Sequence, residues 1–209
     1  MEPLQLVGRS SSHFTRVVRM LADELDVPVA MSVVYDVKQL AADAFGGNPA
    51  LKLPALVRPS GTLAGTLNLC RVVAESARTS KRVVWPEELK SDLARNADEL
   101  LWNAMGQQVV MVMGTKVYGL PADNLFFVKT RAGIEGSMRW LDERLDAVLA
   151  ELPAGRDVSL FELALFCQCE HLVFRETVPM AAFPKLSAWV AKFGERPSAR
   201  KTPYVFDKP

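Results

Sequence analysis

The sequence predicts an α/β domain followed by an all-helical region. Over roughly the first eighty residues, stretches typical of strands alternate with stretches typical of helices. After Trp85-Pro86 the apolar residues recur every three or four positions, and no further strand pattern is found. The polar segment Thr79-Ser80-Lys81-Arg82 between the two parts is typical of a linker. We therefore predict domains at 1–80 and 86–209.

The α/β part is expected to begin with a βαβ unit and to continue with ββα. The predicted elements are a strand at 4–7, a helix at 13–24, a strand at 28–34, a short helix at 36–45, strands at 53–57 and 62–64, and a helix at 67–77. Gly46-Gly47 ends the short helix, and Arg58-Pro59-Ser60-Gly61 joins the last two strands. This order suits a small sheet with helices on both faces.

The second region is predicted to hold two long amphipathic helices. The first starts near Glu87 and continues to about Val117. The second carries apolar residues at alternating spacings of four and three from Ile134 to Leu152, and Pro153-Ala154-Gly155 ends it. These apolar stripes are explained by a helical core.

A further helix start is marked by the segment Asp157 to Leu163. Ser159 is followed three residues later by Glu162, which is the pattern of a capping box. Val158 and Leu163 take the positions of a hydrophobic staple. The segment therefore predicts a helix with Ser159 as its N-cap.

Composition limits the possible function classes. The chain has 209 residues, of which 49% are hydrophobic, so it can bury a core without disulfides or metals. Lysine and arginine (25) nearly balance aspartate and glutamate (24), which gives no electrostatic case for nucleic acid or an acidic membrane surface. Three cysteines without a Cys-x-x-Cys pair and two histidines argue against a disulfide framework and a zinc site. We expect a small molecule or a protein as partner.

The sequence predicts a cytoplasmic protein. Met1-Glu2-Pro3 lacks the basic region and apolar run of a signal peptide. The longest apolar run, 109–113, is far too short to span a bilayer.

The most informative motif is Lys52-Leu53-Pro54-Ala55-Leu56, which places a proline inside a short apolar run. Proline cannot donate to a strand ladder and is normally confined to edges, strand starts or bulges. Its position indicates a special backbone geometry such as a cis peptide bond. The alternative is an ordinary turn followed by an edge strand.

The pattern Asn-Pro-x-x-Lys-Leu-Pro-Ala-Leu at 48–56 resembles the glutathione-binding segment of the glutathione S-transferase superfamily. The ending at 183–189 and 195–198 resembles that family's last helix, so the resemblance covers the length of the chain. It implies a thioredoxin-like N-terminal domain followed by an all-α C-terminal domain. It also implies a cis Pro54, with the backbone of Leu53 facing the cysteine of glutathione.

The resemblance places the catalytic group between the first strand and the first helix. Matching Arg16 and the following Val-x-Arg to the family pattern brings Ser12 to the position of the catalytic serine, with Ser11 as second choice. A hydroxyl that donates to the sulfur at a helix start favours the thiolate, which is the nucleophilic form of the thiol. Alternatively, Ser10 to Ser12 only cap the helix.

The resemblance also assigns residues that hold glutathione. Thr66 stands where the family binds the γ-glutamyl carboxylate, at a helix start suited to anions. Gly65 replaces the acid that usually meets the tripeptide's amino group. Lys52 is placed to pair with the glycine carboxylate, and Asp98 or Glu99 could supply the missing acid from a neighbouring subunit.

The resemblance further implies a pocket for the second substrate. Its candidate residues are Phe14, Trp102, Met105 and Gln108, with the tail residues Tyr204 and Phe206. Aromatic and methionine side chains at such positions are also common in a core.

The predicted function is a homodimeric glutathione S-transferase that conjugates glutathione, as cosubstrate and without a metal, to a small apolar electrophile. Two alternatives stay open. One keeps glutathione but performs isomerisation, dehalogenation or peroxide reduction. The other is a non-catalytic interaction or regulatory module, which Gly65 supports.

Overall fold

A computed structural model describes residues 2–208 of the chain. The chain divides into two compact units, Met1–Val83 with Glu195–Pro209, and Val84–Gly194. The first unit combines a four-stranded sheet with helices, and the second unit is mostly helical. This arrangement confirms the predicted fold class. The first boundary lies close to the predicted linker, whereas residues from 195 onward group with the first unit and not with the predicted 86–209 domain.

The first unit is built on a four-stranded sheet in the order β2-β1-β3-β4. Strand β1 is parallel to β2 and antiparallel to β3, and β3 is antiparallel to β4. The elements are β1 (Leu4–Gly8), α1 (His13–Glu24), β2 (Val29–Val33), a 3₁₀ turn (Ala42–Phe45), β3 (Ala55–Arg58), β4 (Gly61–Ala64) and α2 (Thr66–Ser76). Leu6, Leu21, Leu56 and Leu69 are fully buried in its core.

The predicted helix at 36–45 is wrong over most of its length, since only Ala42–Phe45 is helical. Asp36 Oδ1 accepts a hydrogen bond from the Lys38 N–H at 2.8 Å, a local turn that competes with a helix. Leu40 is 87% exposed, so it contributes no buried apolar surface that would stabilise a helix before Ala42.

The end of the chain packs on α1, which explains why it groups with the first unit. The last helix, α7, is Pro197–Lys201. Arg196 just before it donates two hydrogen bonds of 2.8 Å to the Glu24 carboxylate, and Ser198 donates a third. Lys201 pairs with Asp23 at 2.8 Å.

The second unit packs four helices around an apolar core. A two-residue strand, β5 (Val83–Val84), spans the boundary. The remaining elements are a 3₁₀ turn (Pro86–Glu88), α3 (Asp92–Met111), a π-helical segment (Val112–Val117), α4 (Leu125–Glu151), β6 (Val158–Ser159), α5 (Leu160–Arg175), a 3₁₀ turn (Met180–Ala182) and α6 (Pro184–Phe193). Leu101, Met138, Leu163 and Leu186 are fully buried.

The capping residue predicted for α5 is confirmed. Ser159 Oγ accepts a hydrogen bond from the Glu162 N–H at 3.1 Å. The Glu162 carboxylate is in turn held by Arg156, whose Nε lies 2.8 Å from Oε2. Within residues 2–208 no helix is both long and apolar enough to cross a membrane.

Candidate functional site

Three segments that the sequence singled out meet at one edge of the four-stranded sheet. Val7 pairs with Ala55, and Ala55 pairs with Ala64. Because both pairings are antiparallel, the end of β1, the start of β3 and the end of β4 lie at the same edge of the sheet. Neighbouring strands are about 4.8 Å apart, so these three segments lie within about 10 Å of one another across the sheet.

Ser12 lies in the first of these segments and is the N-cap of α1. Its Oγ accepts a hydrogen bond from the Thr15 N–H at 3.3 Å. Within the described part of the chain this is the only bond of the hydroxyl, so its proton is available to a ligand. Ser11 is only 2% exposed, whereas Ser12 is partly exposed. Of the two serines, Ser12 is therefore the one that a ligand can reach more easily.

The second segment contains the proline motif. The Leu53–Pro54 peptide bond is cis, as the sequence predicted. Asn48 is 3% exposed, and its Nδ2 donates to the Lys52 carbonyl at 2.7 Å while its Oδ1 accepts from the Ala50 N–H at 3.0 Å. The buried amide of Asn48 therefore fixes the backbone that leads into β3.

The third segment is the start of α2. Gly65 is the N-cap, with φ of 92°, and Thr66 begins the helix. The first N–H groups of an α-helix have no intrahelical acceptor, so this end offers donors to an anion. A side chain at position 65 would be strained at this φ, which gives a physical reason for glycine where the family has an acid.

Asp98 and Trp102 lie one turn apart on α3 in the second unit. Trp102 Nε1 donates to Asp98 Oδ1 at 3.1 Å. Burial raises the pKa of Asp98 to about 6; the Trp102 hydrogen bond opposes this rise, while Glu99 and Glu87 add to it. Asp98 is therefore a carboxyl group that titrates near neutral pH.

Two of the six predicted pocket residues have no exposed surface. Met105 and Gln108 are both 0% exposed. The Gln108 amide donates to Thr177 Oγ1 at 2.8 Å and lies 3.2 Å from His171 Nδ1. Phe14 in the first unit and Trp102 in the second unit are each partly exposed.

The titratable side chains do not suggest a metal centre. Among residues 2–208, no group of three or more histidine, cysteine, aspartate or glutamate residues is placed to hold a metal ion. The three cysteines are buried and form no disulfide with one another, and burial strongly raises the pKa of Cys169.

One protein-family model matches the part of the chain that forms this sheet edge. The model described as glutathione S-transferase, N-terminal domain, matches residues 6–81. Residues 6–81 are therefore similar to the N-terminal domain of glutathione S-transferases.

Solved structures extend this likeness to the whole chain. A glutathione S-transferase from Methylobacillus flagellatus KT, solved with glutathione bound, is 22% identical with a TM-score of 0.75, and 97% of this chain and 100% of that chain are covered. A glutathione transferase family member from Pseudomonas fluorescens Pf-5, also with bound glutathione, is 19% identical with a TM-score of 0.77, covering 97% and 99%. The TM-scores show that the chain has the fold of these glutathione S-transferase structures. A search of curated proteins found no match.

The glutathione S-transferase pattern did not predict the contacts that Asp207 and Arg19 make with Ser10, two residues before the candidate serine. The Ser10 N–H donates to Asp207 Oδ2 at 2.8 Å, and Ser10 Oγ accepts from Arg19 Nη1 at 3.4 Å. Ser10 and Asp207 are 197 positions apart, so no local periodicity links them. The sequence feature that could have pointed to this contact is Asp207 itself, an acidic residue close to the end of the sequence.

Proposed function

We propose that the protein is a serine-type glutathione transferase that adds the thiolate of glutathione, its cosubstrate, to a small apolar electrophile. The observation that carries this proposal is the convergence of the Ser12 loop, the Leu53–Pro54 peptide and the Gly65–Thr66 helix start at one sheet edge. Glutathione carries two carboxylates with a thiol between them. A site that binds it therefore needs a separate contact for each of these groups.

Ser12 is proposed as the catalytic hydroxyl. Its oxygen is occupied by the Thr15 N–H, which leaves its proton to donate to the sulfur. The start of α1 adds a positive dipole end, and both effects favour the thiolate over the thiol. The thiol proton passes to water, and the thiolate sulfur forms a bond to the electrophilic carbon. In a substitution, the pair of electrons of the broken bond leaves with the displaced group; in an addition, the resulting anion takes up a proton from water.

The remaining groups are proposed to anchor the tripeptide. Leu53 offers its backbone to the cysteine residue of glutathione, Thr66 offers its N–H and hydroxyl to the γ-glutamyl carboxylate, and exposed Lys52 pairs with the glycine carboxylate. Gly65 supplies no acid to the amino group. Losing a charge-assisted hydrogen bond costs on the order of 1.5 to 3 kcal/mol, so we expect weak binding.

Two other functions remain compatible with this fold. The lack of an acid at Gly65 favours a non-catalytic module, while the accessible Ser12 hydroxyl favours catalysis. Glutathione-dependent isomerisation, dehalogenation or peroxide reduction would use the same anchors.

Thermal unfolding with reduced glutathione tests the binding step. At about 100 times the dissociation constant, glutathione should stabilise the protein by roughly 2.7 kcal/mol, which raises Tm by about 5 to 10 °C. Thr66→Val should need about tenfold more ligand, because it loses one hydroxyl contact to a carboxylate. Free cysteine is the matched ligand control and should have no effect. An unchanged Tm at tens of millimolar glutathione contradicts the proposal.

We also propose that the protein is a cytoplasmic homodimer with a detoxifying role. Between residues 110 and 128 several large apolar side chains are exposed on the second unit, namely Val110, Tyr118, Leu120, Leu125, Phe126 and Val128. Such exposure is typical of an association surface. Sedimentation equilibrium should return about twice 23.1 kDa, and a monomer mass would remove Asp98 as a ligand from a neighbouring subunit.

A further inference from the structure

The chain after α7 returns to the loop that carries the candidate serines. We call residues 202–208 the tail. Asp207 Oδ2 in the tail accepts a hydrogen bond of 2.8 Å from the Ser10 N–H. Ser10 is 7% exposed, so its N–H is largely removed from water and needs this acceptor.

Ser10 is held from a second side by α1. Arg19 Nη1 donates to Ser10 Oγ at 3.4 Å. Burial lowers the pKa of the Arg19 guanidinium, while the Asp207 carboxylate opposes this effect and Arg16 adds to it. Arg19 and Asp207, which carry opposite charges, therefore both hydrogen-bond to Ser10.

The position of Ser10 is coupled to that of Ser12. The Ser12 N–H donates to the Arg9 carbonyl at 3.1 Å, so residues 9–12 form a turn. Ser12 then caps α1 through Thr15. A shift of Ser10 would move this turn and change the direction of the Ser12 hydroxyl.

The Arg16 side chain on α1 contacts both the tail and the helix before it. The Arg16 guanidinium stacks on the Tyr204 ring at 4.3 Å and donates to the Ala199 carbonyl at 3.3 Å. Beyond Tyr204, the side chains of Val205 and Phe206 are 47% and 56% exposed. The Asp207 carboxylate accepts a charge-assisted hydrogen bond from the Ser10 N–H and so joins this end of the tail to the loop.

We infer that Asp207 is a positioning residue for Ser12, acting through the Ser10 N–H. The inference rests on the proposed function, because Ser12 is the proposed catalytic hydroxyl. Asp207 itself is given no contact with glutathione or with the electrophile. Its role is to hold the turn at 9–12 so that the hydroxyl points at the sulfur, and small displacements of such groups reduce rates strongly.

Three variants separate this role from general stability. Asp207→Ala removes the acceptor, Asp207→Asn keeps an oxygen acceptor without the charge, and Lys208→Ala is the control in the exposed neighbour. We expect Asp207→Ala to lower kcat for conjugation about tenfold, with KM for glutathione within about twofold, because the proposed anchors at 52–54 and 65–66 are untouched. Asp207→Asn should recover most of kcat, and Lys208→Ala should match the parent protein.

Amide hydrogen exchange of Ser10 gives a readout that does not depend on activity. Its protection should fall about tenfold in Asp207→Ala and persist in Asp207→Asn. Parent-like kcat and protection in Asp207→Ala would overturn the inference, as would an Asp207→Asn variant as impaired as Asp207→Ala. If the parent protein conjugates no electrophile, the proposed function fails, and Ser10 protection alone decides whether Asp207 fixes the turn.

Discussion

Ser12→Ala should lower the conjugation rate by about 100-fold while glutathione affinity changes little. The hydroxyl is proposed to donate to the sulfur, and removing one preorganised donor to a developing or bound anion typically costs about two to three powers of ten. The bound thiol should then titrate one to two pKa units higher, since each unit corresponds to about 1.4 kcal/mol. Ultraviolet absorbance of the bound thiolate measures that pKa directly.

A second capping serine provides the control for this variant. Ser91 caps α3 and accepts from the Ala94 N–H at 3.1 Å, much as Ser12 accepts from Thr15. Ser91→Ala should lose about 1 kcal/mol of stability and keep the conjugation rate. If Ser12→Ala behaves like Ser91→Ala, then Ser12 is only a cap, and Ser11→Ala becomes the informative variant.

Glu24→Ala should destabilise the protein by about 3 kcal/mol. The Glu24 side chain is 10% exposed and accepts hydrogen bonds from both Arg196 and Ser198. Removing the carboxylate leaves the Arg196 guanidinium, which is 32% exposed, without its bidentate partner. The free energy of unfolding from denaturant titration at pH 7 measures the loss.

The neighbouring pair on the same two helices is the matched control. Lys201 and Asp23 are also 2.8 Å apart, but their side chains are 66% and 24% exposed. Asp23→Ala should therefore cost less than about 1 kcal/mol. Equal losses in the two variants would show that burial of the Glu24 pair has no special effect.

The stability that Glu24 contributes depends on pH, and the direction of this dependence follows from its pKa. Burial alone raises the pKa of Glu24. The hydrogen bonds from Arg196 and Ser198, together with the positive charges of Arg196 and Lys81, outweigh this effect, so its pKa lies below the ordinary 4.5. A carboxyl group with a lowered folded pKa stabilises the protein above its unfolded pKa and loses this contribution as pH falls through the folded pKa. The difference between the parent protein and Glu24→Ala should accordingly shrink in acid.

Local pattern was sufficient for most of the elements. Helix α1 begins and ends where its apolar spacing and the serines before it predicted, and the break at Pro153-Ala154-Gly155 follows α4. The helix expected at 36–45 failed because periodicity does not show whether a face has anything to pack against. Leu40 is apolar but 87% exposed.

The candidate site was only partly predictable. Pro54 marked the special peptide bond because proline is restricted in strands. The role proposed for Ser12 came from the family resemblance alone. The positive φ of Gly65 and the contact between Asp207 and Ser10 depend on how distant segments meet. One sequence without its tertiary contacts does not contain a local sign of either.

The most direct test of the central claim is to locate bound glutathione by backbone amide chemical shifts during a titration. The account predicts saturable shifts at residues 8–12, 52–53 and 65–68, with the other amides of the sheet largely unchanged. A cavity of about 370 Å³ lined by Leu25, Asp26, Pro28, Arg78 and Thr79 is the competing location in the same unit. Shifts confined to that cavity, or no saturable shift at the sheet edge, would contradict the account.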